Sequence, residues 1–208
     1  MGIDFGLLVT IAMMSIFIAN FPLAKFLGLC PFIGVTQSTK NAIGMGIAVT
    51  FVMLLASAVT FPIFKFVLVP LNLVSVLKTP VYILVIATLV QFVEMVLKAK
   101  MPPLYRALGI YLPLITTNCA VFGVTLLNTT DAPEAMASLP FIPGYIAAMV
   151  QGTAGGLGFL VAMLLMSGVR ERLAFASIPE SLKGTPIALI CTALMAIAFM
   201  GFSGMASL

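Results

Sequence analysis

From Phe5 to Val35 a single charged side chain, Lys25, interrupts an apolar run of 31 residues. As one helix that run would extend about 46 Å, well beyond a hydrocarbon core of about 30 Å. Pro22, Gly28, Pro31 and Gly34 crowd its second half, so the sequence predicts a span to about Asn20 followed by a broken or re-entrant segment carrying Cys30. Further apolar runs predict spans from Ile43 to Val69, kinked near Pro62, from Pro80 to Leu97, from Leu108 to Leu127, near Tyr145 to Val169, and from Pro186 to Phe202. Pro113 with Thr116, Thr117 and Asn118 loosens the middle of the fourth. Composition agrees: 62% of the 208 residues are hydrophobic and 8% are charged, against about 25% charged in soluble domains. The expected fold class is an all-α integral membrane protein of six transmembrane helices, a single membrane domain over residues 1–208.

Six spans of about 20 residues leave only short loops and no soluble catalytic domain. With no histidine in the chain, imidazole haem ligation and His-based zinc or general-base chemistry are excluded. A net charge of +4 on scattered basic residues gives no phosphate-binding face, so nucleic acid is not an expected partner. Asp4 stands where a cleaved signal peptide would carry basic residues. Lys40, Lys98, Lys100, Arg106, Arg170, Arg172 and Lys183 fall in the loops of one side, while Lys65 and Lys78, with Asp4, Asp131 and Glu134, fall on the other. The positive-inside rule then places both termini on the outer side of the membrane, away from the cytoplasm.

The sequence repeats itself. Cys30-Pro-Phe-Ile-Gly34-Val35-Thr36 recurs as Cys119-Ala-Val-Phe-Gly123-Val124-Thr125. Met53-Leu-Leu-Ala-Ser57-Ala-Val59 recurs as Met163-Leu-Leu-Met-Ser167-Gly-Val169, and Thr79-Pro80 as Thr185-Pro186, in the same order. Two halves of three spans each, about 1–100 and 101–208, are implied. Three is odd, so the second half enters from the opposite side, an inverted repeat that brings Cys30 and Cys119 together at mid-depth.

Three readings of these cysteines follow: buried apolar packing, a disulfide, which a reducing cytoplasm disfavours, or thiolate ligation of a metal or cluster. Iron-sulfur clusters usually take four thiolates, so one chain with two matched cysteines supplies half a set. Cys191 has no repeat partner, its counterpart being Val85, and is read as packing.

At these residues the sequence resembles the integral-membrane A subunits of the Rnf electron-transport complex, close kin of the E subunit of sodium-pumping NADH:quinone reductase. The resembling segments are Phe26-Leu-Gly-Leu-Cys30-Pro-Phe, Gly44-Met-Gly-Ile-Ala-Val-Thr-Phe-Val, Leu89-Val-Gln-Phe-Val-Glu94-Met-Val, the long block Tyr105 to Val121 containing Thr116-Thr117-Asn118-Cys119, and Gly184-Thr-Pro-Ile-Ala-Leu-Ile with Phe199-Met-Gly-Phe-Ser-Gly. Pro31 and Thr116-Thr117 look more like the Rnf branch; Ala19 to Leu23 and the Asp131 to Tyr145 loop depart from it. The resemblance implies a subunit, not catalytic alone, of an ion-translocating ferredoxin:NAD⁺ oxidoreductase coupled to Na⁺ or H⁺ movement. It implies pairing with a homologous six-span subunit of opposite orientation, the E type, and a shared [2Fe-2S] cluster with Cys30 and Cys119 as two of its ligands. B-, C-, D- and G-type subunits would carry flavins (FMN, riboflavin) and further iron-sulfur clusters, and connect indirectly to ferredoxin and NAD.

Near the cysteines, Thr117 and Asn118 either donate hydrogen bonds to sulfur or satisfy broken backbone, and Gly34 and Gly123 follow the two cysteines at the same spacing. Glu94 is a candidate on an ion path, or an i,i+4 partner of Lys98 near the interface. Arg170-Glu171-Arg172 is expected to be a solvated loop, with partner docking as an alternative, and Gly155, Gly156 and Gly158 suit close helix packing. Two other functions stay open at this point. One is the equivalent subunit of the quinone reductase; the other is a stand-alone secondary transporter, a class that shares inverted repeats and broken helices.

Overall fold

The computed structural model describes residues 5–68, 70, 74–100, 112–129, 141–177 and 179–203. Arg106, Asp131, Glu134, Asp4 and the first part of the fourth expected span, Leu108 to Tyr111, lie outside the described residues. Among the described residues the chain is helical, without a β-strand. In order, the helices are α1 (Phe5–Met13), continuing as a π-helical turn (Met14–Ile18), α2 (Phe21–Ala24), α3 (Leu29–Val35), α4 (Thr39–Ile63), running on into a second π turn (Phe64–Leu68), and α5 (Val74–Lys100). The second half holds α6 (Leu112–Thr116), α7 (Cys119–Leu127), α8 (Phe141–Leu173), a 3₁₀ turn (Glu180–Leu182) and α9 (Thr185–Ser203).

Among the described residues three helices are long and apolar enough to cross a membrane: Thr39–Leu68, Leu77–Met95 and Ile142–Leu173, with 30, 19 and 32 residues. Shorter apolar helices cover Leu8–Ile18, Pro113–Leu127 and Thr185–Gly201. On α5, Ile83, Leu84, Phe92 and Met95, and on α9, Leu189, Leu194, Ile197 and Met200, each expose more than half of their surface. Such faces suit lipid and not water.

The expected breaks occur, each with a local cause. Ala19 N–H donates to Met14 O at 2.7 Å, closing the π turn that ends the first helix, and Asn20 leaves helical geometry with ψ 121°. Pro62 lies inside α4; it has no N–H to donate, and the helix relaxes into π geometry over the next residues. The break between α6 and α7 falls at Thr117 and Asn118.

The core is built on α4 crossing α8. Glycines set how closely they meet: a Cβ on Gly156 would lie 2.6 Å from Thr50 Cα, and one on Gly46 would lie 3.2 Å from Leu160 Cα. Gly158 likewise lets α8 approach the backbone of Ile16, and Gly155 receives the ring of Phe21. These contacts bear on the internal matches. Cys30 and Cys119 are 89 apart, Met53 and Met163 are 110 apart. By the second offset Gly46 corresponds to Gly156 and Thr50 to Leu160, so the two close approaches exchange with each other. Thr39 Oγ1 bonds Ser167 Oγ at 2.9 Å, and Asn128 Nδ2 donates to Ser57 Oγ at 3.0 Å; Thr39 corresponds to Asn128 by the first offset and Ser57 to Ser167 by the second, so these bonds exchange as well.

Candidate functional site

Cys30 and Cys119 each sit in the first turn of a short helix that begins in the middle of an apolar segment. The approach to the first is made by Phe26 (φ 54°) and Gly28 (φ 78°), both in left-handed backbone. Gly28 precedes α3 directly, and Pro31 costs nothing in the first turn because its missing N–H would have no helical acceptor there. The approach to the second is made by Asn118, whose Oδ1 accepts from Ala120 N–H at 3.0 Å and caps α7.

The two breaks meet. Gly28 N–H donates to the Sγ of Cys119 at 2.9 Å, across 91 residues of sequence. The approach leaves no room for a side chain at Gly28: a Cβ would stand 2.7 Å from Phe159 Cε2 and 2.8 Å from Asn118 Oδ1. Both thiols are exposed on this chain, although Pro31, Phe32, Ala120 and Val121 beside them are buried. Among the described residues no three His, Cys, Asp or Glu side chains gather to hold a metal ion. Each thiol is thus exposed on this chain, with buried side chains next to it in sequence.

Several expectations change here. Thr117 is exposed and its Oγ1 donates to Pro113 O at 3.0 Å, so it satisfies the broken helix and not the sulfur. Asn118 is held by its capping bond, which turns Nδ2 away from Ala120 and leaves that buried donor without a hydrogen-bond partner. The direct donor to the Cys119 sulfur is the Gly28 N–H. Sequence reasoning missed it, although the conjunction of a glycine with a following helix start was a usable signal. Gly123 is a packing position, where a Cβ would meet Leu27 Cδ1 at 2.6 Å, while Gly34 faces open space. Cys191 is half-buried against the hydrophobic core. Glu94 is half-buried on α5, one helical turn before the exposed Lys98.

The expectation of a solvated loop at Arg170-Glu171-Arg172 is also corrected. These residues are the last turn of α8. Arg170 Nη1 donates to Ile33 O at 2.6 Å and to Thr36 Oγ1 at 3.2 Å. Glu171 Oε1 accepts from the Thr39 hydroxyl and from the Thr39 N–H at the start of α4.

Chemically the arrangement suits an iron-sulfur group. It has two thiols, a backbone N–H already aimed at one sulfur, and helix N-termini whose partial positive charge favours thiolate. A glycine cradle that a Cβ would fill holds the geometry.

A family model described as "Rnf-Nqr subunit, membrane protein" matches residues 8–206. The chain is 50% identical to the A subunit of the Na⁺-translocating ferredoxin:NAD⁺ oxidoreductase complex of Acetobacterium woodii, over 95% of this chain and 97% of the relative. It is 50% identical to the A subunit of the ion-translocating oxidoreductase complex of an Azoarcus species, over 89% and 91% of the two chains. Against the corresponding Escherichia coli protein the identity is 48%, over 93% and 95%. On a match that runs almost end to end, the chain belongs to the Rnf-Nqr family of membrane-protein subunits.

Proposed function

We propose that this chain is the A-type membrane subunit of an Rnf ion-translocating ferredoxin:NAD⁺ oxidoreductase, and that Cys30 and Cys119 supply two of the four thiolates of a [2Fe-2S] cluster. A homologous E-type subunit of opposite orientation supplies the other two. The observation that carries this reading is the exposure of both thiols at helix starts joined by the Gly28-to-Cys119 hydrogen bond. A packing cysteine would be buried, and a chain holding the whole cluster would gather further ligands.

Bound there, a cluster would supply one-electron acceptance partway across a barrier of about 30 Å. The chain's own residues do the rest. Gly28 N–H neutralises part of the charge on the Cys119 sulfur. Phe159, fully buried behind Gly28, keeps water from that face. Coupling to Na⁺ or H⁺ translocation belongs to the assembly with B-, C-, D- and G-type subunits.

Within this reading the chain has six spans in two inverted halves. The exchanged contacts of Gly46 with Leu160 and Thr50 with Gly156, and of Thr39 with Ser167 and Asn128 with Ser57, support a two-fold relation. Both termini face outward, supported by the excess of Lys and Arg in the loops of the other side.

The test is iron content and electron paramagnetic resonance of the whole complex carrying Cys30→Ala, Cys119→Ala or Cys191→Ala. Loss of one [2Fe-2S] signal is expected in the first two and retention in the third. An undiminished signal in both Cys30→Ala and Cys119→Ala overturns the assignment.

A further inference from the structure

The half-helix that carries Cys30 is seven residues long, too short to be stable by its own hydrogen bonds. Its C-terminal carbonyls need partners from outside the helix. Phe32 O receives the Thr36 hydroxyl at 2.6 Å, and Ile33 O receives Arg170 Nη1 at 2.6 Å; the same guanidinium nitrogen reaches Thr36 Oγ1 at 3.2 Å. Arg170 comes from the far end of α8, 137 residues away in sequence from Ile33. Thr36 is fully buried, and Glu171, next to Arg170, is engaged at the Thr39 hydroxyl and N–H. Among the described residues no salt bridge neutralises Arg170.

We infer that Arg170 is a positioning residue for Cys30, acting in two ways on the cluster site proposed above, on which the second of them rests. It fastens the C-terminus of the Cys30 helix to a long span, which fixes the direction of the thiol. It also places a fixed positive charge at the negative end of that helix, about 4.5 Å further along the axis than Cys30 when measured to Ile33. A charge so placed favours the reduced form of a group held by Cys30, whose added electron it attracts. Neither effect requires Arg170 to touch the cofactor.

The experiment uses the whole complex with Arg170→Met, Arg170→Lys and Thr36→Val. Maleimide labelling of Cys30 in the iron-depleted complex, resolved from Cys119 and Cys191 by peptide mass spectrometry, reads the fastening. Redox titration of the paramagnetic signal in the loaded complex reads the charge. Arg170→Met is expected to label at Cys30 several-fold faster than the native complex and to shift the midpoint to lower potential. Arg170→Lys should keep the potential near native while labelling faster. Thr36→Val, which retains the side-chain shape, should give a smaller increase in labelling, and it carries the test if Arg170→Met does not assemble. Native labelling rates at Cys30 in Arg170→Met, or in Thr36→Val where only that variant assembles, overturn the positioning role. A native midpoint in Arg170→Met overturns the charge effect. If Cys30→Ala and Cys119→Ala both keep the cluster signal, the cluster assignment fails separately, because the labelling result does not depend on iron.

Discussion

Replacing Gly28 by alanine tests the site with the smallest possible addition. The new Cβ would stand 2.7 Å from Phe159 Cε2, 2.8 Å from Asn118 Oδ1 and 3.1 Å from Ala120 Cβ, at a residue whose φ is +78°. Left-handed backbone costs a non-glycine residue about 1–2 kcal/mol. Asn118 Oδ1 cannot retreat without releasing the Ala120 N–H that it caps, a loss of about 1 kcal/mol. Phe159 is fully buried, so its ring must push into packed neighbours, with overpacking of about 1–3 kcal/mol. The sum, about 3–6 kcal/mol, is a large part of the stability of an ordinary domain. The break between α2 and α3 should give way first, taking the Gly28-to-Cys119 hydrogen bond with it. The measurement is cluster iron per complex together with the thermal transition of the complex. Gly44→Ala is the control, since nothing lies within 4 Å of a Cβ there. Gly28→Ala is expected to lose most of the cluster and to melt well below the control. A Gly28→Ala complex with full cluster occupancy and the control's melting temperature would refute the reasoning from cradle to site.

Gly156→Ala should lower the melting temperature through separation of α4 from α8, since its Cβ would meet the Thr50 backbone at 2.6 Å; about 1–3 kcal/mol is expected, and a thermal transition equal to native would contradict it. Asn128→Ala removes the donor to Ser57 Oγ and should cost about 1 kcal/mol. A double-mutant cycle with Ser57→Ala isolates the bond, and a coupling energy of zero would show that it contributes nothing.

Much of the local architecture was legible because the residues that cause it act locally. Pro22 and Gly28 announced the interruption before Cys30, and Pro113 through Asn118 the one before Cys119, since proline and glycine weaken a helix interior through their own backbone. The glycines of α8 were read as packing positions, and Gly155, Gly156 and Gly158 do meet Phe21, Thr50 and Ile16. Polar residues were less legible. Thr117 and Asn118 stand beside Cys119 in sequence, yet both serve the broken backbone. Arg170 and Glu171 have the composition of a solvated helix end, and nothing local distinguishes that from a pair that binds α3 and α4.

The sequence by itself determined that lipid is the solvent, that the helices beside the cysteines are broken, and that two matched cysteines share one kind of break. These follow from transfer free energy and from backbone sterics, both properties of a residue and its near neighbours. Tertiary structure decided which group donates to Cys119, that both thiols face outward, and that Arg170 reaches the Cys30 helix. Those bonds join residues 91 and 137 positions apart. Local preferences cannot specify bonds at such separations, because they depend on how the helices pack, with α4 and α8 approaching closely at Gly46 and Gly156.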